Sequence, residues 1–153
     1  MARLNVLEYT ADFVRGWPHG EAVQMNYASD ADFGNGDLVQ IAADGKVVAA
    51  ADNAPHFAVV ARGKKDTFNG GGTGTGNLYQ QVVPNICILG NYVLRTSKVN
   101  STGLAAGAPI GVVGGVWDVA ATAEGQIGTV LEVETGVTLP DGTTGSVAVI
   151  HVR

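Results

Sequence analysis

The stretch that decides the fold is Gly36 to Ala61, GDLVQIAADGKVVAAADNAPHFAVVA. After Gly36-Asp37, Leu38 to Ile41 is a short apolar run. Asp44-Gly45 is a hairpin signal, because glycine tolerates the positive φ that tight turns need. Lys46 to Ala50 reads as the return strand. Asn53-Ala-Pro55 punctuates, and Phe57 to Ala61 follows with β-branched residues. Nothing in the stretch has the look of catalytic chemistry; it reads as scaffold.

Residues 107–131, GAPIGVVGGVWDVAATAEGQIGTVL, align with 36–60 without a gap. Gly36 meets Gly107, Val48 meets Val119, Ala49-Ala50 meets Ala120-Ala121, and Val59 meets Val130. In a chain this rich in Gly, Ala and Val some matches are expected by chance. The content of the alignment is architectural: both halves repeat short strands separated by Gly-rich turns.

The 153 residues suit one domain, long enough for a core without disulfides. Only 15% of residues are charged, against about 25% in an average soluble domain. Either a partner covers much of the surface, or the surface is built from Gly, Ala, Thr and Asn. No apolar run approaches the roughly 18–20 residues of a membrane helix. Met-Ala-Arg-Leu-Asn leads into acidic, mixed sequence, so no signal peptide is expected. A net charge of −5 lacks the positive field that phosphate binding needs, which argues against nucleic acid as a partner. Arg62 with Lys64-Lys65 is the basic cluster; Asp66 dilutes it, and it reads as a solvated loop. Cys87 stands alone, so no intrachain disulfide or cysteine metal cluster forms. In the run Ile86-Cys-Ile-Leu89 it reads as a small buried hydrophobe.

Residues 1–35 read as an irregular N-terminal arm. Residues 1–8 suit a short strand or ordered arm, a weak helix is expected at Thr10–Arg15 with Thr10 as its cap, and Trp17 to Gly20 form a turn. Phe13, Trp17, Tyr27 and Phe33 need cover. They are expected to pack on a neighbouring subunit; the other reading has them wrapping their own barrel. From 62 to 81 a mobile loop is expected, with Asn69 to Asn77 at its tip. Val82-Val83 is stopped by Pro84. Ile86–Leu89 and Tyr92–Thr96 flank Gly90-Asn91 and read as a hairpin. Ile110–Val113 and Val116–Val119 follow. Along 126–134, Ile127, Thr129, Leu131 and Val133 are expected on one face, with Gly128, Val130, Glu132 and Glu134 on the other. Pro140 to Gly145 is a turn. Val147–Val152 is apolar on both faces, which marks an interior strand or one covered by a partner. The expectation is an all-β barrel or sandwich of roughly ten short strands, with its body at 36–153.

The motifs for chemistry are weak. GGGTGTG at Gly70–Gly76 lacks the Lys-Ser/Thr and helix of a phosphate loop. His19, His56 and His151 have no metal-ligand spacing. Ser29, Ser97, Ser101 and Ser146 sit in no nucleophile elbow. Asp30 with Asp32, and Glu132 with Glu134, read as solvated faces rather than a calcium loop or a glycosidase pair. No catalytic residue, cofactor or metal is expected.

Gly36-Asp-Leu-Val, Asp44-Gly-Lys-Val and Phe57-Ala-Val-Val set a rhythm. Gly107-Ala-Pro-Ile, Ile127-Gly-Thr-Val-Leu-Glu and Gly145-Ser-Val-Ala-Val-Ile continue it. In strand rhythm and glycine placement, residues 36–153 resemble the small head decoration proteins of tailed bacteriophages, also called capsid cement or stabilising proteins. The resemblance implies a β-rich, β-tulip-like body, commonly a homotrimer. It would sit on the outer surface of the expanded capsid between major capsid proteins, with an N-terminal arm reaching neighbours. It implies the major capsid protein and the chain itself as partners, no nucleic acid or membrane, and a place on the virion after synthesis in the host cytoplasm. Removing residues 1–20 is then expected to weaken capsid binding while the body stays folded. A second reading is a carbohydrate- or host-binding β module of a tail or fibre, with the two tryptophans and the Gly-rich loop as a stacking platform.

Overall fold

The computed structural model describes residues 6–54, 57–66 and 85–153. Among these, eleven strands form two antiparallel sheets packed as an open sandwich, not a closed barrel. In chain order they are β1 (Ala11–Arg15), β2 (Val23–Tyr27), β3 (Leu38–Ile41), β4 (Val47–Ala49), β5 (Phe57–Arg62), β6 (Asn85–Leu89), β7 (Tyr92–Thr96), β8 (Pro109–Val113), β9 (Val116–Val119), β10 (Gly128–Thr138) and β11 (Thr144–Val152). One sheet runs β1-β7-β11-β10-β8-β9 and the other β2-β6-β5-β3-β4. The Gly70–Gly76 run, Val82-Val83 and His56 lie outside the described residues.

The alignment of the two halves has a structural counterpart. β3 pairs with β4 on one side and β5 on the other, and β8 pairs in the same way with β9 and β10. Val39↔Ala49 matches Ile110↔Val119, and Ile41↔Val47 matches Val112↔Trp117. Val39↔Ala58 matches Gly128↔Ile110. The hydrogen bonds repeat as well: Gly36 N to Val60 O and Gly107 N to Val130 O are both 2.8 Å. The equivalence is therefore not gapless. The second hairpin is one residue tighter, so Val60, rather than Val59, corresponds to Val130.

Three apolar clusters hold the sandwich. The main core lies between the sheets and includes Leu38, Val59, Ile88, Leu94, Ile110, Trp117 and Ile150. A second core covers the outer face of the smaller sheet, where Phe33, Val39, Val47, Ala58, Val60 and Cys87 meet. A third joins Leu7 to Val137 and Val147 on the outer face of the larger sheet. β11 is interior, between β7 and β10. Its Ala148, Ile150 and Val152 enter the main core while Val147 enters the third, so an interior position accounts for its two apolar faces.

The structure corrects four local readings. The expected helix at Thr10–Arg15 is strand β1. A five-residue helix cannot offset its nucleation cost alone, whereas pairing with β7 supplies bonds, and Thr10 O is taken by Thr96 Oγ1 and Ser97 N. The described remainder of the expected arm is also built into the body, with β2 at the edge of the smaller sheet. Gly90-Asn91 does not close a hairpin. It carries the chain from β6, held between β2 and β5, to β7, held between β1 and β11 in the other sheet. Finally, β10 is bulged: Val130 pairs with Ile150 and Glu132 with Val149, leaving Leu131 without a partner. One extra residue reverses the alternation, so Val133 packs on the main core and Leu131 is exposed.

Candidate functional site

The N-terminal segment supplies an edge strand to each sheet, and its surface is the candidate site. Its aromatics turn inward. Phe13 packs edge to face on Trp17 and on Tyr92, with ring centroids 5.2 and 5.4 Å apart. Phe13 and Trp17 lean on the main core and Tyr27 on the second. Phe33, only 7% exposed, is sealed inside the second core. Of the four expected contact residues, Phe33 is thus closed to a partner, and Phe13, Trp17 and Tyr27 keep only part of each ring accessible. The structure brings them to two different cores rather than to one patch.

What reasoning from aromatic content missed is the outward set. Among the described residues, five of the eight exposed large hydrophobic side chains, Val6, Tyr9, Val14, Val23 and Met25, fall between residues 6 and 25, so apolar exposure there concentrates on this segment. The signal in the sequence was the alternation in Val23-Gln-Met-Asn-Tyr27, which reads as a half-buried strand. The segment is firmly positioned. Asn35 accepts from Ala11 N at 2.8 Å and donates to Ala11 O and Ala61 O at 3.0 Å each, bolting β1 to the end of β5.

Arg95 clasps the start of the segment. Its Nε lies 2.7 Å from Glu134 Oε2, and Nη1 donates to Val6 O at 2.8 Å, while Nη2 has no hydrogen-bond partner among the described residues. Glu134 is therefore half of a largely buried ion pair, not part of a solvated face. Asp12 sits across from Arg95 in the β1–β7 register. Burial pushes the Asp12 carboxyl above its ordinary value, opposed by the Arg95 charge and the backbone N–H of Glu8.

Beside this segment, a shallow cleft of about 530 Å³ opens at the end of the larger sheet. Arg15, His19, Glu21, Asn91 and His151 line it. Asn91 Nδ2 donates to Glu21 Oε2 at 3.2 Å, and Asn91 Oδ1 lies 2.7 Å from His151 Nε2. A carboxylate only accepts, so the Asn91 carbonyl faces His151, and His151 Nε2 carries the hydrogen. The chain of contacts ties the β1–β2 loop, the sheet-crossing corner and β11 together. None of the lining residues offers a hydroxyl or thiol nucleophile except Tyr92, whose buried phenol is pushed up and away from ionisation.

The other sequence candidates resolve individually. Cys87 is free and buried, and burial raises its thiol to about 12, so it acts as a core side chain. Asp30 pairs with Lys46 at 2.9 Å, and that ammonium lowers its pKa. Lys64 Nζ donates to Ser29 O at 3.0 Å instead of standing in solvent. Trp117 is fully buried against Phe57, and Trp17 Nε1 donates to Gln24 Oε1, so the two tryptophans form no common platform. Among the described residues no group of three His, Cys, Asp or Glu could hold a metal ion, and no helix is long and apolar enough to cross a membrane. Comparison with protein-family models, curated proteins and solved structures finds no match to this chain.

Proposed function

We propose that this chain is a non-enzymatic structural protein of a tailed-bacteriophage virion. It decorates the outer surface of the expanded capsid between major capsid proteins, and associates with copies of itself. The observation that carries the reading is the concentration of exposed apolar side chains between Val6 and Met25 on a segment anchored in both sheets. Single exposed hydrophobics are ordinary; it is their concentration on one segment, spread over an edge of each sheet, that supports reading a contact surface. The low charge content and the strand rhythm of 36–153 support the same reading. A protein that binds only the expanded shell stabilises that state by linkage, and many copies add their small contributions.

Co-sedimentation of the purified protein with expanded, undecorated capsids, with procapsids as control, tests this. Saturable binding to the expanded form is expected. Tyr9→Asp and Val14→Asp, at side chains more than half exposed, are expected to weaken it several-fold without altering the fold. Absence of binding to either form would discard the proposal.

A further inference from the structure

Edge strands expose unpaired N–H and C=O groups, and proteins blunt them with charge, proline, bulges or brevity. Three of the four edges here are blunted. β1 carries Asp12 and Arg15 and a register shift between Phe13 and Arg15. β9 carries Asp118, and β4 is three residues long. β2 is the exception. Val23-Gln-Met-Asn-Tyr27 has no charge, proline or bulge, and its first four residues are exposed. Ala22, Ala28 and Ser29 extend the neutral run to the flanking Glu21 and Asp30. Among the described residues no strand pairs with the outer side of Val23–Tyr27; just past it Ala28 O accepts from Val47 N of β4 at 2.9 Å, so the open edge ends at Tyr27.

We propose that β2 is a self-association site, and that its occupant is β2 of a second copy, antiparallel about a two-fold axis at Met25. Two features select a second copy. The chain is acidic, with net charge −5, so two copies repel over most of their surface; the neutral β2 edge lets them approach. The strand is also self-complementary in this register. Met25 meets Met25, Val23 meets Tyr27, and Gln24 meets Asn26, so apolar groups face apolar groups and amides face amides. Val23 and Met25 lie opposite Leu89 and Cys87 on β6, in the row that forms the second core. Pairing extends that row across the axis and joins the second cores of both copies. It also merges the two five-stranded sheets into one.

This deepens the self-association part of the proposed function and differs from the three copies the resemblance implies. Pairing between identical edges is isologous and closes after two. It is read without capsids, so it fails or stands separately from shell binding.

Sedimentation velocity of the full chain over a concentration series is expected to show a monomer–dimer equilibrium. Met25→Lys and Met25→Glu, at a 45% exposed side chain, place like charges on the axis and are expected to weaken dimerisation at least about tenfold. Mixing the two variants restores the dimer, because Lys then meets Glu; no site away from the axis gives that rescue. Met25→Cys in a Cys87→Ala background, which removes the thiol directly opposite on β6, forms an intermolecular disulfide under mild oxidation and keeps the test open if a charged variant folds poorly. A monomer at all concentrations, a trimer, or a dimer indifferent to Met25→Lys would overturn the proposal.

Discussion

Residues 36–60 and 107–130 fold into the same three-stranded meander with matching register, yet they turn opposite faces to the sandwich interior. Val39, Val47, Ala58 and Val60 of the first copy correspond to Ile110, Trp117, Gly128 and Val130 of the second. In the second copy Ile110, Trp117 and Val130 fill the main core. In the first, all four line the second core on the outer face, and the reverse face sends Leu38 and Val59 into the main core instead. Along β3 and β5 the first copy is thus covered on both faces, though Val48 and Ala49 of β4 stay exposed, whereas the second leaves Asp118 and Thr129 half-exposed outside. The difference is made by cover. Phe33 and Tyr27 pack on the outer face of the first copy, and Val47 N donates to Ala28 O. A repeated local pattern sets strands and register, and the neighbouring chain decides which face is inside.

The largest test of this comparison removes part of that neighbouring chain. Deleting residues 1–20 takes away β1, Leu7 and Phe13. The structure therefore reverses the expectation of an intact body: the truncated protein is expected to show no cooperative thermal transition by circular dichroism. A normal transition would show that the segment is dispensable to the sandwich. Next come the matched core positions. Trp117→Ala is expected to cost about 4 kcal/mol and Val47→Ala about 2 kcal/mol in urea unfolding, because the larger side chain leaves the larger cavity. Equal costs would mean that the second core is as decisive as the main one.

Gly36 and Gly107 sharpen the comparison further, since they hold the same left-handed backbone at φ of 88° and 86°. Alanine pays a steric cost of about 1–2 kcal/mol at either one. A Cβ at Gly36 would also lie 2.8 Å from Thr10 Cγ2, while one at Gly107 meets nothing within 4 Å. Gly36→Ala is therefore expected to destabilise more than Gly107→Ala, and equal melting temperatures would show that Thr10 moves aside freely. The smallest expected effect is a pH dependence at Asp12. Its folded pKa lies above the ordinary carboxylate value, chiefly through burial. The native state then binds the proton more tightly than the unfolded state, and this contribution to stability falls as pH rises through the raised pKa. Asp12→Asn is expected to remove a fall in melting temperature as pH rises just above the ordinary carboxylate range. An unaltered slope would place the dependence on other carboxylates.

Much of the fold was legible where local chemistry has one solution. Asp44-Gly45 closes the β3–β4 hairpin, with Lys46 N bonded to Asp44 Oδ1 at 3.0 Å, and the doubly apolar Val147–Val152 is an interior strand. The misreadings fall where two solutions share one local signal. Gly90-Asn91 suits a hairpin and a sheet-crossing corner alike; the competing partners β2, β5, β1 and β11 decide for the corner. Phe13, Trp17, Tyr27 and Phe33 signal a need for cover, but aromatic identity does not say whether their own chain supplies it. The edge at β2 went unseen because exposure of a backbone is a property of what fails to arrive beside it.

The sequence by itself determined that this chain is all-β, because alternating β-branched residues between glycine turns admit little else. It also showed short strands between glycine turns in both halves, whereas the matched meander, one residue tighter in its second hairpin, is seen only in the structure. Only the tertiary structure decided which face of each meander became the core, where β6 and β7 part, and which edge stayed open. Those outcomes depend on long-range competition for a limited set of covering surfaces, and no local stretch of residues encodes the result of that competition.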